Sequence, residues 1–237
     1  MNFSFGIITA GGNENNLNLI IDSIEHQKIP ENKYEIVIVG NCQINRKNTK
    51  IINFNENIKP GWITRKKNII TENSIHENIV YLHDYITFCD GWYSGYVAFG
   101  NNFLACMNKI ISIDGSRFRD WSLFPFAHYG YVHKRIVECG ERCLIPYNMN
   151  LSTYQYFSGS YFVCKKDIME KIRLNEDLCW GHGEDVEWSS RFVHDNNYKF
   201  SMNINSCVKL LKHKNRSFSE ISEEDLCNIL KNGKYQC

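Results

Sequence analysis

Three near-continuous apolar runs, Phe3 to Thr9, Tyr34 to Val39 and Asn78 to Leu82, decide most of what this chain can fold into. A strand that alternates apolar and polar residues lies half in water, whereas a continuous apolar strand is covered on both faces. Between the first two runs, Leu17, Ile20, Ile21 and Ile24 recur at helical spacing, which predicts an amphipathic helix from Leu17 to His26. Lys50 to Phe54 predicts a further strand, and Ile63 to Glu72 a second helix. Strand–helix–strand alternation of this kind builds βαβ units around a mainly parallel sheet. Ligands of such sheets gather beyond the carboxyl ends of strands, so chemistry is expected after Ile8, Val39 and Leu82.

The middle of the chain reads differently. From about Asp90 to Asn150 it is aromatic-rich and weakly periodic, with Trp92, Trp121, Phe124, Phe126, Tyr129 and Tyr131. Such a segment is either irregular and functional or a set of short elements that periodicity does not separate. Pattern returns with a strand at Gly159–Cys164, a short helix at Lys166–Ile172 and a helix at Glu184–His194. Two strands follow, at Lys199–Met202 and Cys207–Leu211, then a helix from Ser219 to Leu230 with a capped start. No repeat or low-complexity linker interrupts the 237 residues. One α/β domain is expected, with residues 1–90 and 91–237 as its halves.

Composition narrows the function classes. Hydrophobic residues at 43% and charged residues at 22% exclude a disordered or fibrous chain. A net charge of +1 gives no field for a nucleic-acid backbone, so no nucleic-acid partner is expected. The ten cysteines show no repeated spacing, and His128, His133, Cys139 and Cys143 match no common zinc-finger pattern. Met1 to Ala10 lacks a basic n-region and a cleavage site, and no apolar run approaches the roughly 18–20 residues of a membrane span. The expectation is a cytoplasmic protein with reduced thiols, its Asn215-Arg-Ser217 sequon unused. Thr9-Ala-Gly-Gly12 hints at a dinucleotide fold, but Gly-x-Gly-x-x-Gly is absent.

Three constellations carry chemistry. The strand end Leu82-His83-Asp84-Tyr85 offers a carboxylate able to hold a divalent cation or a ribose, or simply to cap a turn. Cys179-Trp-Gly-His-Gly-Glu-Asp185 combines glycines that admit a ligand close to the backbone with Trp180, a flat face for a sugar ring. Its Glu184 and Asp185 start a predicted helix, where one carboxylate can fix a hydroxyl while the other takes its proton. An acidic first turn with no further role has the same pattern. The third is His213, after a strand and between Lys212 and Lys214.

In that order along the chain, these segments resemble GT-A glycosyltransferases, near glycosyltransferase family 2 in the first half. Phe5-Gly-Ile-Ile-Thr9 resembles the opening strand, and Thr64-Arg-Lys-Lys-Asn68 the basic segment that meets a nucleoside diphosphate. Tyr81-Leu-His-Asp-Tyr85 sits where an Asp-x-Asp motif belongs. Trp180-Gly-His-Gly-Glu-Asp185 is similar to the Trp-Gly-x-Gly-x-Glu-Asp motif of β-1,4-galactosyltransferase-like inverting enzymes, and His213 to their later metal-binding His.

The resemblance implies a GT-A fold and inverting transfer from a nucleotide-diphosphate sugar, a UDP-sugar first, to a hydroxyl on a glycan or glycoconjugate. It makes Asp185 the base and Trp180, Gly183 and Glu184 the acceptor site. It puts Thr9, Asn41, Arg65, Lys67, Asn68, His83 and Asp84 at the donor, with Mn²⁺ or Mg²⁺ on Asp84 and His213. Two departures stand out: the second strand ends Val39-Gly-Asn41 without an Asp, and the Asp-x-Asp pair is reduced to Asp84. Lys67 and Arg65 carrying the diphosphate charge without a metal is therefore an alternative, as is a catalytically inactive domain that only binds sugars or a partner.

Overall fold

The computed structural model describes residues 1–123, 143–150, 155–214, 218–225 and 227. The apolar runs form strands where the sequence places them. Strand β1 (Phe3–Ile8) is buried at every residue, and β2 (Tyr34–Val39) and β4 (Asn78–His83) pair parallel to it on either side. β3 (Thr49–Ile52) extends the sheet beyond β2, again parallel. Helix α1 (Glu14–Glu25) buries Leu17, Ile20, Ile21 and Ile24, the stripe its spacing predicts, and begins three residues before that stripe. Helix α2 (Ile63–Asn73) packs on β1 and β2.

The weakly periodic middle holds regular elements that its sequence pattern conceals. After β5 (Ile86–Phe88) come helix α3 (Trp92–Phe99) and strand β6 (Ala105–Ile111). Short strands β7 (Ser122–Leu123), β8 (Cys143–Leu144) and β9 (Gln155–Tyr156) follow, then β10 (Tyr161–Lys165) and helices α4 (Lys166–Lys171) and α5 (Glu184–Ser190). Phe124, Phe126, His128, Tyr129, Tyr131, His133 and Cys139 lie outside the described residues. The two strands expected after His194 are one, β11 (Phe200–Leu210), with a bulge between Asn203 and Cys207. The last expected helix starts late: Ser219–Glu220 is strand β12, and Ser222 Oγ caps Asp225 N at 3.0 Å.

Among the described residues the main sheet has eight strands in the order β3–β2–β1–β4–β10–β6–β11–β5, beside a four-stranded sheet β12–β8–β7–β9. The main sheet is parallel from β3 to β4 and again between β6 and β11; β10 runs antiparallel to both β4 and β6. One apolar cluster runs through both halves of the chain. Its hub is Trp92, with ring centres of Phe88 at 4.9 Å and Phe3 at 5.1 Å. Its indole N–H donates to Tyr161 Oη at 2.9 Å, so the buried polar atom is satisfied. No helix of the described residues is long and apolar enough to cross a membrane.

One consequence of this topology builds the site. Because β10 opposes β4, the start of β10 meets the carboxyl end of β4, and His83 N donates to Ser160 O at 3.2 Å. Residues 157–160 therefore join the strand ends where the parallel half of the sheet gathers its ligands.

Candidate functional site

At the carboxyl ends of β1 and β4, Thr9 and Asp84 meet. Thr9 Oγ1 and Asn13 Nδ2 both donate to Asp84 Oδ2, each at 2.7 Å, and Gly11 N donates to Thr9 Oγ1 at 3.1 Å. Asp84 is buried by this arrangement. Asn41 is exposed, and its backbone carbonyl and Cβ pack on the Gly11 turn.

The basic segment on α2 does not act as one group. Arg65 pairs with Glu72 at 2.9 Å and Glu176 at 3.1 Å. Asn68 donates to Leu174 O and Glu176 Oε1, both at 2.9 Å, and accepts from Leu174 N at 3.1 Å. Both residues thus brace the 174–178 loop that leads into Trp180, together with Thr64, which donates to Leu178 O at 2.7 Å. Lys67 leaves the opposite side of the helix, fully buried, and donates to Gly159 O at 2.6 Å. Burial lowers its pKa from the usual lysine value, while the charges of Glu184 and Asp185 oppose that fall. Of the three residues expected at the donor, Arg65 and Asn68 hold the 174–178 loop, and Lys67 stands behind the carboxylates.

Gly159 is the junction. Its carbonyl receives Lys67, and its N–H donates to Asp185 Oδ2 at 2.9 Å. A Cβ at Gly159 would lie 2.8 Å from Glu184 Oε1 and 3.1 Å from Asp185 Oδ2, so a side chain here displaces both carboxylates. Gly183 precedes α5 at φ 69°, a left-handed turn that glycine adopts without cost. Glu184 and Asp185 then open the helix and line a cavity of about 470 Å³. His83, Tyr85, Arg119 and Lys214 also line it, and Trp180, 71% exposed, stands at its rim.

The electrostatics follow from burial. Glu184 is pushed up to about 7, first by burial and then by Asp185, with Lys67 opposing. Between its ordinary 4.5 and about 7, the folded chain holds a proton that the unfolded chain has released. This group therefore stabilises the fold fully at low pH and loses that contribution as pH rises through this window. Melting temperature followed from pH 4.5 to 7 should fall less steeply in Glu184→Gln than in the parent; identical slopes would refute the burial account. His83 is held well below the ordinary histidine value, by burial and then by Lys67, Lys214, Lys212 and Lys66, so it enters the cavity as a neutral imidazole.

Gly159→Ala tests the junction directly. Under the reaction proposed below, moving both carboxylates by the order of 1 Å is expected to lower turnover about 100-fold. The substitution leaves the Lys67 bond to the backbone carbonyl in place, so melting temperature should change little; unaltered turnover would contradict the geometry.

Lys214, Arg119, Tyr156 and the Ser158–Ser160 turn were not among the expected site residues, although Lys214 is the immediate neighbour of His213. Lys214 donates to Tyr85 Oη at 2.5 Å and, chiefly by burial, is lowered to about 8. His213 itself is exposed and does not line the cavity. The residues present do not fit a divalent cation on Asp84 and His213. Asp84 Oδ2 already accepts two hydrogen bonds, and among the described residues no three His, Cys, Asp or Glu side chains gather to hold a metal.

No known family model matches the chain, and no curated protein matches it at a significant level. Solved structures do. S. aureus TarS 1-349 superposes at a TM-score of 0.56 and 14% identity, covering 98% of this chain and 64% of that one. The same fragment in complex with UDP-GlcNAc gives 0.59 and 14%, over 92% of this chain and 60% of TarS. GalNAc-T7 with UDP, GalNAc and Mn²⁺ gives 0.58 and 12%, over 92% of this chain and 44% of that one. The chain thus spans less than two thirds of each. At these identities the likeness is one of fold, and the curled mixed sheet is of the GT-A type.

Proposed function

We propose that this chain is an inverting glycosyltransferase that moves a sugar from a nucleoside-diphosphate donor, a UDP-sugar first, to a hydroxyl of a glycan or glycoconjugate. The observation that carries this is the carboxylate pair Glu184–Asp185 in the cavity beneath the exposed Trp180, on a fold shared with structures holding UDP and UDP-GlcNAc. Residues 1–90 serve as the nucleotide-sugar half and residues 91–237 as the acceptor half of one domain. Trp180 and Glu184 position the acceptor, Trp180 by stacking on a sugar ring.

Asp185 takes the proton from the acceptor hydroxyl as that oxygen bonds to the anomeric carbon. The bond from this carbon to the donor's phosphate oxygen breaks, and its electron pair leaves with the nucleoside diphosphate. Attack opposite the leaving group inverts the anomeric centre. Gly159 N–H aims the carboxylate, and buried Lys67 places a positive charge behind it.

A panel of nucleotide sugars, assayed for hydrolysis and transfer with and without Mn²⁺, tests the proposal. The expected result is turnover of at least one UDP-sugar, and a rise in melting temperature with millimolar UDP, because a ligand of the folded state stabilises it. Absence of both, for every nucleoside diphosphate, would leave a domain that binds a glycan or a partner without catalysis.

A further inference from the structure

The donor set for a metal does not fit, yet a diphosphate in this cavity needs positive charge, and the structure supplies it elsewhere. Lys212 and Lys214 both hold their ammonium groups near the Tyr85 ring, at 4.0 and 4.1 Å from its centre. Lys214 also donates to the phenol oxygen of Tyr85. Among the described residues neither lysine forms an ion pair with a carboxylate. Two like charges gathered on one ring repel each other, and a cation near a ring face is only modestly stabilised. An anion between them and the cavity removes that repulsion.

Arg119 lines the same cavity, its guanidinium 5.3 Å from the Phe118 ring and 5.0 Å from the Phe218 ring. Its backbone is left-handed, at φ 38°, a conformation that a non-glycine residue keeps only when its surroundings enforce it. The enforcement is visible next door. Asp120, wholly buried, accepts from Arg117 Nη2 at 2.8 Å, Trp121 N at 2.7 Å and Tyr147 Oη at 2.7 Å. The backbone fixed in this way holds Arg119 at the cavity wall, where a guanidinium suits a phosphate.

Resting on the transferase reading above, we propose that Lys214 and Arg119, backed by Lys212 beside the Tyr85 ring, neutralise the donor's diphosphate in place of a divalent cation on Asp84 and His213. Asp84 then serves to fix the Thr9–Asn13 turn rather than to bind metal. His83, neutral at the same wall, contributes hydrogen bonding and no charge.

The test is calorimetric titration of the whole chain with UDP, at fixed ionic strength, in chelator and in Mn²⁺. UDP affinity in chelator should lie within about threefold of that in Mn²⁺. Lys214→Gln should weaken UDP by about 10- to 100-fold, the reach of a charge-assisted hydrogen bond, while Lys214→Arg restores most of it. Inorganic pyrophosphate should compete with UDP on the parent and fail to do so on Lys214→Gln. Arg119→Gln, checked for an unchanged melting temperature, gives a second route to the same loss. UDP that binds only with Mn²⁺, or that binds Lys214→Gln as tightly as the parent, would overturn the inference and leave the transferase reading standing. Failure of every nucleoside diphosphate to bind in either buffer would overturn both.

Discussion

Asp185→Asn is expected to lower turnover by roughly two to four orders of magnitude, the usual contribution of a general base. The substitution keeps the size of the side chain, and the amide oxygen still accepts from Gly159 N–H, so position is retained while basicity is lost. Donor binding should be nearly unchanged, because in the proposed mechanism the group acts on the acceptor proton. Glu184→Gln is the control. Its neighbour's charge and its own burial hold that carboxyl near neutrality, so it is a competing base on electrostatic grounds. With Asp185 as base, Glu184→Gln raises KM for the acceptor and leaves kcat within about tenfold. The reverse ordering of the two variants would transfer the role to Glu184.

Asp120→Ala is expected to produce the largest loss of stability, about 3–5 kcal/mol, because it strands the partners of a buried charge. Asp120 Oδ1 accepts from Arg117 Nη2 and from Trp121 N, and Oδ2 from Tyr147 Oη. Without the carboxylate, the Arg117 guanidinium keeps, among the described residues, Ile145 O, the Tyr147 ring and the exposed Glu220 nearby. Tyr147 is held protonated by burial and by Asp120, so its hydroxyl remains a donor left without an acceptor. For a chain of this size such a loss is a fall of roughly 10 °C or more in Tm. A loss under about 1 kcal/mol in denaturant unfolding would mean that the network relaxes around the gap.

The half of the fold built from continuous apolar strands was legible because burial on both faces leaves a local signature. β1, β2 and β4 fall within a residue of the apolar runs. Helix α3 was not legible, for equally physical reasons. It is eight residues long, apolar on most of its surface, and interrupted by Gly95, which presses on the carbonyl of Asn205 where no side chain fits. Strand β11 looked like two because Asn203 and Ser206 are polar, but both are buried in the bulge, and Ser206 Oγ receives Asn203 Nδ2 while donating to Trp92 O. At the site, the motif Trp180 to Asp185 located the carboxylates, since adjacency in sequence is adjacency in space across one turn. Gly159 escaped because its place depends on β10 running against β4, and Arg119 and Lys214 because they reach the cavity from other, distant parts of the chain, which no spacing encodes.

The rim residue has an optical consequence. Of the five tryptophans, Trp92, Trp121 and Trp188 are at most 2% exposed, so their indoles emit from an apolar environment, and Trp62 is half-buried. Trp180, 71% exposed, contributes the red, water-relaxed part of the fluorescence. Its backbone N–H is tied to Gly61 O at 2.9 Å, next to the helix that carries Lys67, so the exposed ring is anchored at its base. Under the proposed function, a sugar laid on that face displaces water chiefly from Trp180, and the shift in its emission reports acceptor binding.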